Sequence, residues 1–231
     1  MLMQPDASQS VIRLEHVSKT YGSGESAVHA VEDVSLQLQP GKFYILMGPS
    51  GSGKTTLLTL MGCLLKPNSG SVYLFDQEVS ALDEAQLPRV RRQRIGFIFQ
   101  GFNLFPALTA LENVEAALNV KRLRGEAARQ KAIELLSRLG LEKRLHHLPE
   151  DLSGGEKQRV AVARALAGDP PIILADEPTG QLDSKTGRMI VEALRDLARD
   201  EGRLIFMVSH DSRILGLADR ILNIDDGHLK D

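Results

Sequence analysis

The chain has 231 residues, with 28 lysines and arginines against 30 acidic residues and a formal net charge of −2. This length can bury a substantial core and suits one large domain, and the charge balance excludes a general attraction to nucleic acid or anionic lipid. The single cysteine, Cys63, excludes an intrachain disulfide and a multi-cysteine metal site.

Neither a secretory signal nor a membrane span is expected. Residues 1–10 are polar and lack both a basic n-region and an apolar h-region. Apolar runs such as 43–47 and 95–99 are much shorter than the roughly 18 residues that a membrane-spanning helix requires. We therefore expect a cytoplasmic protein that meets a membrane only through a partner.

Strand-like patterns alternate with helix-length stretches along the chain. The predicted strands are 11–17, 34–38, 43–47, 72–75, 95–99, 172–175, 204–208 and 221–224. Helices are predicted at 55–65, 108–120, 126–139 and 153–167, the last three in a stretch without a convincing strand. The arginine-rich stretch 89–94 is interpreted as a solvated charged face. The alternation favours an α/β fold with an inserted helical lobe.

A glycine-rich segment links the predicted strand 43–47 to the predicted helix 55–65. Its residues are Gly48, Pro49, Ser50, Gly51, Ser52, Gly53, Lys54, Thr55 and Thr56. In this context the pattern predicts a P-loop. Glycines let backbone N–H groups close around phosphate oxygens, Lys54 brings charge to the β- and γ-phosphates, and the Thr55 hydroxyl ligates Mg²⁺. A glycine-rich helix cap is the structural alternative, and a kinase or GTPase also carries such a loop.

Two adjacent carboxylates, Asp176 and Glu177, follow the predicted strand 172–175. Buried carboxylates are costly without a task, and ligands of parallel α/β sheets bind beyond the carboxyl ends of the strands. Neighbouring strand positions face opposite ways. We therefore assign Asp176 to the Mg²⁺ shell and Glu177 to orienting and deprotonating an attacking water. A solvated acidic turn is the alternative.

The third motif is the run Leu-Ser-Gly-Gly-Glu at 152–156, which precedes a helical pattern. Ser153 and Glu156 have the spacing of a capping box. Capping does not explain Gly154 and Gly155, since each glycine in a helix costs about 1 kcal/mol relative to alanine. They permit close backbone approach, and a bare helix N-terminus is an anion site suited to a nucleotide γ-phosphate.

The run 152–156 resembles the signature of ABC ATPases, and it stands in that family's order between the P-loop and the acidic pair. The resemblance covers nearly the whole chain. It implies one ABC ATPase domain over 1–231, with a P-loop NTPase core at 11–100 and 165–231, an N-terminal antiparallel β portion and an inserted helical subdomain at 101–164. It also implies a head-to-tail homodimer around two MgATP, in which the signature of one copy faces the P-loop of the other.

Four further positions match the family one at a time. Gln100 resembles the glutamine that reaches Mg²⁺ and the water, and His210 resembles the histidine that contacts the γ-phosphate. Tyr21 resembles the aromatic residue that stacks on adenine, and Asp183 matches the D-loop aspartate near the nucleotide. Each has an ordinary alternative, such as a polar strand end or a turn tyrosine. Gln181 departs from the short residue expected there and leaves the detail of cross-dimer communication open.

The segment 101–114 is similar to the post-glutamine region of ATPases that power lipoprotein release, macrolide export and glycolipid export. This resemblance implies an integral membrane permease as partner, favours export, and places the chain on the cytoplasmic face of the inner membrane. Phe102, Leu104 and Phe105 either line a groove for that partner or pack inside the lobe. Import, and regulation of a membrane protein without transport, stay open. If the chain were a small-molecule P-loop kinase, the run at 152–156 would have no explanation.

Overall fold

The structure, a computed structural model, describes residues 10–230. Within that range the strands are β1 (Ile12–Tyr21), β2 (Val28–Leu38), β3 (Phe43–Met47), β4 (Ser69–Leu74), β5 (Gln77–Glu78), β6 (Ile95–Ile98), β7 (Ile172–Asp176), β8 (Leu204–Val208), β9 (Arg220–Asp225) and β10 (His228–Lys230). The helices are α1 (Lys54–Met61), α2 (Leu87–Arg94), α3 (Ala110–Val120), α4 (Gly125–Arg138), α5 (Gly154–Leu166) and α6 (Ser184–Glu201).

A six-stranded sheet in the order β10-β9-β3-β8-β7-β6 forms the centre of the molecule. Its strands run parallel except β10, which pairs antiparallel with β9. Every residue of β8 is buried, as expected for a parallel strand covered on both faces. Because β3, β6, β7 and β8 run the same way, the residues that follow them meet at one edge of the sheet.

The two faces of this sheet contribute to two separate cores. Along β3, Phe43 and Ile45 pack into the core shared with α3, α4, α5 and α6. Tyr44 and Leu46 point the other way, into the core shared with α1 and the strands β1, β2 and β4. This alternation of neighbouring side chains is the strand period acting on an uninterrupted apolar sequence. The sheet is therefore held from both sides.

A second, antiparallel sheet in the order β2-β1-β4-β5 covers one of these cores. Ile12 pairs with Leu38 of β2 and with Leu74 of β4, and all three side chains are fully buried. β1 bulges between Leu14 and Val17. This sheet and the parallel one together confirm the predicted fold class, an α/β core of ABC ATPase type with an N-terminal antiparallel portion.

Three helices, α3, α4 and α5, lie between β6 and β7 and pack on one another. The stretch 100–164, which the structure describes throughout, contains no strand. α3 begins with a capping box in which Thr109 and Glu112 satisfy each other's backbone N–H groups. The boundaries 101 and 164 for an inserted subdomain stay a prediction. None of the helices between residues 10 and 230 has the length and apolarity needed to cross a bilayer.

Two helices lie where the sequence predicts none. The stretch 89–94 belongs to α2 and is only partly solvated. Arg91 donates to the carbonyl of Cys63 at 2.7 Å, and the Arg94 guanidinium lies 4.6 Å from the centre of the Phe75 ring. Arginine stems cover apolar surface while their heads find acceptors, which a reading of charge alone misses. The other unpredicted helix is α6.

Candidate nucleotide-binding site

A cleft of about 710 Å³ opens at the carboxyl edge of the parallel sheet. The residues that line it are Ala30, Gly48, Pro49, Ser50, Gly51, Gly53, Lys54, Thr55, Thr56, Gln100, Glu177 and His210. All but Ala30 are predicted from the sequence; an alanine near the start of β2 carries no such signal. The segments after β3, β6, β7 and β8 thus converge here, as the parallel topology requires.

The loop between β3 and α1 lies tightly against two neighbouring strands. A Cβ atom at Gly53, whose φ is 99°, would come within 1.9 Å of the Ala30 carbonyl oxygen on β2. A Cβ atom at Gly48 would come within 2.2 Å of the Ile224 carbonyl oxygen on β9. The N–H of Gly227 also donates to the Ser52 carbonyl at 3.1 Å. Glycine is therefore required at both positions for the loop to keep this shape.

The loop surrounds a buried ammonium group. Nζ of Lys54 donates to the carbonyl oxygens of Gly48 at 2.9 Å and Pro49 at 2.6 Å, and the residue is only 8% exposed. Gly53 provides no side chain to cap α1, so the first N–H groups of that helix stay available to an anion. The buried Ser52 hydroxyl has no hydrogen-bond partner within residues 10–230. Together these donors make a phosphate-binding loop.

Oxygen donors suited to Mg²⁺ lie beside this loop. The Thr55 hydroxyl, in the first turn of α1, is 3.2 Å from each carboxylate oxygen of Asp176 at the end of β7. Burial raises the pKa of Asp176, the Thr55 hydrogen bond opposes that rise, and the Glu177 carboxylate adds to it. A carboxylate and a hydroxyl beside a phosphate site form the donor set that Mg²⁺ takes in nucleotide-binding proteins.

Glu177 is held in an unusual backbone conformation, with φ at 43°. Its N–H donates to Val208 of β8 at 3.1 Å, and its carbonyl accepts from Gly180 at 3.1 Å. Gln100 Nε2 donates to Oε2 of the Glu177 carboxylate at 3.2 Å, and His210 Nδ1 lies 3.3 Å from Oε1 of the same carboxylate. A left-handed conformation at a residue with a side chain costs free energy and is found where a side chain must be aimed. The carboxylate is thereby fixed over the cleft.

The run 153–156 forms the N-terminus of α5 and does not line this cleft. The predicted capping box is present, because Ser153 N–H donates to Glu156 at 2.8 Å and Glu156 N–H to the Ser153 hydroxyl at 3.3 Å. Arg144 donates to Glu156 at 2.7 Å. The Ser153 N–H, followed by Arg144, lowers the pKa of Glu156 to about 2.

The two glycines of this run have different surroundings. A Cβ atom at Gly155 would lie 2.4 Å from the Thr186 methyl group on α6, so packing between α5 and α6 requires this glycine. A Cβ atom at Gly154 would find only ordinary contact, 3.5 Å from Leu182. Packing therefore accounts for Gly155, Gly154 has no such steric reason within one copy, and close approach to a ligand stays a prediction for both glycines.

Two other predicted residues lie away from the lining. Tyr21 ends β1, is 44% exposed, and has the Lys19 ammonium 5.8 Å from its ring centre. Its partner across the strand pair is Val28, so the two apolar side chains share one face of the antiparallel sheet. Asp183 caps α6 by accepting from the N–H groups of Lys185 and Thr186. That structural role for Asp183 is not predicted from the sequence.

Known proteins resemble this chain over most of its length. The family described as "ABC transporter" matches residues 31–180. An uncharacterized ABC transporter ATP-binding protein of Methanocaldococcus jannaschii, MJ0796, is 48% identical over 224 residues, which span 95% of each chain. The macrolide export ATP-binding/permease protein MacB of Escherichia coli is 45% identical over 221 residues, which span 96% of this chain and 34% of MacB.

Solved structures give the same result. A dimeric structure of MJ0796 in a post-hydrolysis state, bound to ADP and Pi, superposes with a TM-score of 0.88. The two chains are 46% identical, with 95% of this chain and 97% of that one covered. The P-loop, the acidic pair and the capped signature helix occur in a fold shared with such cassettes. The chain therefore belongs to the ATP-binding family of ABC transporters, the ABC ATPases.

Proposed function

We propose that two copies of this chain bind two MgATP head to tail and that hydrolysis drives an integral membrane permease in the direction of export. The observation that carries the hydrolytic part is the Glu177 carboxylate, which Gln100 and His210 hold at the edge of a phosphate-binding cleft. A carboxylate fixed in this way is a general base for water.

The chain's own residues divide the work of phosphoryl transfer. Glu177 accepts a proton from the attacking water. The oxygen of that water bonds to the γ-phosphorus, and the bond between the γ-phosphorus and the oxygen that bridges to the β-phosphate breaks. Lys54 and the N–H groups at the start of α1 stabilise charge on the phosphates. Gln100 and His210 orient the Glu177 carboxylate. Thr55, Asp176 and Gln100 would hold Mg²⁺, which neutralises charge on the β- and γ-phosphate oxygens when bound.

The head-to-tail dimer is supported by the incompleteness of the site within one copy. The capped N-terminus of α5 is the second feature suited to phosphate, and none of the residues 153–156 lines the cleft. A twofold arrangement places that helix end over the partner's P-loop and completes both sites at once. MJ0796 has been solved as a dimer bound to ADP and Pi, which is the state that this arrangement produces after hydrolysis.

The permease partner is inferred from the relatives and from one surface. Proteins named macrolide export ATP-binding/permease proteins contain a region similar to this chain that makes up about a third of their length. On this chain, Phe105 is 55% exposed in the loop that follows Gln100. Asn113 fixes that loop by donating to Phe105, Leu108 and Thr109 carbonyls and accepting from the Phe105 N–H. An ordered loop with an exposed aromatic side chain suits docking to a permease.

The partner is tested by purifying a tagged chain from detergent-solubilised membranes and measuring ATP turnover with and without the captured protein. We expect an integral membrane protein whose presence changes turnover, and Phe105→Ala should weaken its capture. Movement of cargo out of the compartment that contains ATP, followed in vesicles, would separate export from import. Altered turnover without cargo movement would point to regulation of a membrane protein instead.

A further inference from the structure

The three residues after Gln100 form a tight turn. Phe102 and Asn103 both have left-handed backbone conformations, with φ at 60° and 50°. The Phe102 N–H donates to the Phe99 carbonyl at 3.2 Å, and the Asn103 N–H donates to the Gly101 carbonyl at 2.6 Å. Two consecutive left-handed residues with side chains cost free energy, so contacts from outside the turn must stabilise it.

Those contacts come from Arg164, near the C-terminus of α5. Its Nη2 donates to the Phe102 carbonyl at 2.7 Å, and its Nη1 donates to the Asn103 carbonyl. The planar guanidinium presents both donors in a fixed fork, which a lysine cannot do. One side chain therefore holds the two strained residues together.

This arginine is costly where it lies. Burial lowers the pKa of its guanidinium. A half-buried cation loses part of its hydration, and the two carbonyl hydrogen bonds offset that loss. This cost indicates that the Arg164 side chain serves the turn that it contacts.

α5 connects this turn to the signature. The helix begins at Gly154, and Arg164 lies ten residues further along the same rigid element, a distance of about 15 Å at 1.5 Å per residue. A force on the helix N-terminus, where the partner's nucleotide is proposed to bind, reaches Arg164 without passing through a loop.

We propose that Arg164 is a positioning residue for hydrolysis. It fixes the turn 101–103, and through it the Gln100 amide against Glu177 at 3.2 Å, and it moves with the signature helix when the dimer closes. Engagement of one copy's signature thus sets the position of the water-orienting groups in that copy's own site. The inference rests on the proposed roles of Gln100 and Glu177.

The test measures kcat, KM and MgATP affinity for Arg164→Lys and Arg164→Gln. Arg164→Lys keeps the charge and loses the fork. We expect kcat to fall by about tenfold to hundredfold, since misplacing a catalytic group by about 1 Å costs on this scale. MgATP affinity should fall by much less than kcat, because the P-loop contacts and the proposed Mg²⁺ ligands Thr55 and Asp176 are untouched. An unchanged kcat in either folded variant would overturn the inference.

The matched control is Arg203→Lys. Arg203 is buried more deeply than Arg164, at 8% exposure, and donates to the Pro170 carbonyl and to Glu201 at the opposite edge of the sheet. This variant should lose thermal stability and keep kcat. If Arg203→Lys lowers kcat as much as Arg164→Lys does, general destabilisation explains both and the inference fails.

A double-mutant cycle with Gln100→Ala separates the two proposals. If Arg164 acts through Gln100, the double variant Gln100→Ala/Arg164→Lys turns over as fast as Gln100→Ala alone, within twofold. If the losses in kcat of the two single variants multiply in the double variant, Arg164 does not act through Gln100. A wild-type kcat in Gln100→Ala would instead contradict the role proposed for Gln100. If Arg164→Gln does not fold, Arg164→Lys carries the cycle.

Discussion

Replacing Gly155 by alanine tests the packing of the signature helix against α6. The added Cβ atom would lie 2.4 Å from the Thr186 methyl carbon, about 1 Å closer than ordinary van der Waals contact. The same substitution at Gly154 meets its nearest side chain, Leu182, at 3.5 Å and is accommodated without movement. The two variants thus make the same chemical change and differ in the space that is available to the new methyl group.

The size of the effect follows from two opposing contributions. Overpacking of a fitted contact costs about 1–3 kcal/mol. Alanine in a helix is favoured over glycine by up to about 1 kcal/mol. We therefore expect Gly155→Ala to lower the free energy of unfolding by about 1–2 kcal/mol, and Gly154→Ala to leave it unchanged or raise it slightly.

The assay is urea unfolding followed by circular dichroism, with ATP turnover measured in parallel. Gly155→Ala/Thr186→Ser should recover most of the lost stability, because serine lacks the methyl group that the new Cβ atom meets. Gly154→Ala should keep stability and lose turnover, since its Cβ atom intrudes where the partner's nucleotide is proposed to lie. Equal stabilities of the two single variants, or no recovery in the double variant, would refute the steric argument.

Three further predictions concern the nucleotide site and the signature. Lys54→Ala should weaken MgATP binding in equilibrium dialysis, because the phosphates lose their buried ammonium group; unchanged affinity would contradict the P-loop assignment. Thr55→Val should raise the Mg²⁺ concentration needed for half-maximal turnover, since one oxygen ligand is lost, and an unshifted titration would remove Thr55 from the metal site. Glu156, whose pKa is lowered from its ordinary 4.5 to about 2, contributes stability that is present above pH 4.5 and lost as pH falls through about 2. In Arg144→Gln the pKa of Glu156 should rise. The difference in free energy of unfolding between this variant and the wild type, measured by urea unfolding, should therefore shrink as the pH falls from 5 to 2. A difference independent of pH would rule out the ion pair as its cause.

The sequence is most informative where a motif coincides with a topological rule. Apolar runs identify β3 and β7, and the parallel topology then dictates that the P-loop and Glu177 meet at one edge. That meeting is observed, with Lys54 and Glu177 lining the same cleft. The spacing of residues within each motif is sufficient to predict this meeting, because the rule that ligands bind beyond the carboxyl ends of parallel strands brings the distant motifs together.

Contacts between distant segments are beyond this kind of prediction. The Gly155 contact with Thr186 and the Arg164 contact with Phe102 join residues whose spacing in sequence carries no signal. α6 is a different case, because its buried positions Ile190, Val191, Leu194 and Leu197 follow a helical period and Asp183 caps it. This helix therefore carries a sequence signal of its own, unlike the two long-range contacts.

The measurement that tests the central claim most directly is the mass of Glu177→Gln in solution, by light scattering, with and without MgATP. One chain weighs 25.3 kDa. We expect a shift to twice that mass when MgATP is added, because binding is retained and hydrolysis, which is proposed to open the dimer, is lost. Gly154→Asp in the same background should abolish the shift, since a carboxylate would then face the γ-phosphate. A Glu177→Gln chain that binds MgATP and stays at the mass of one copy would contradict the shared site.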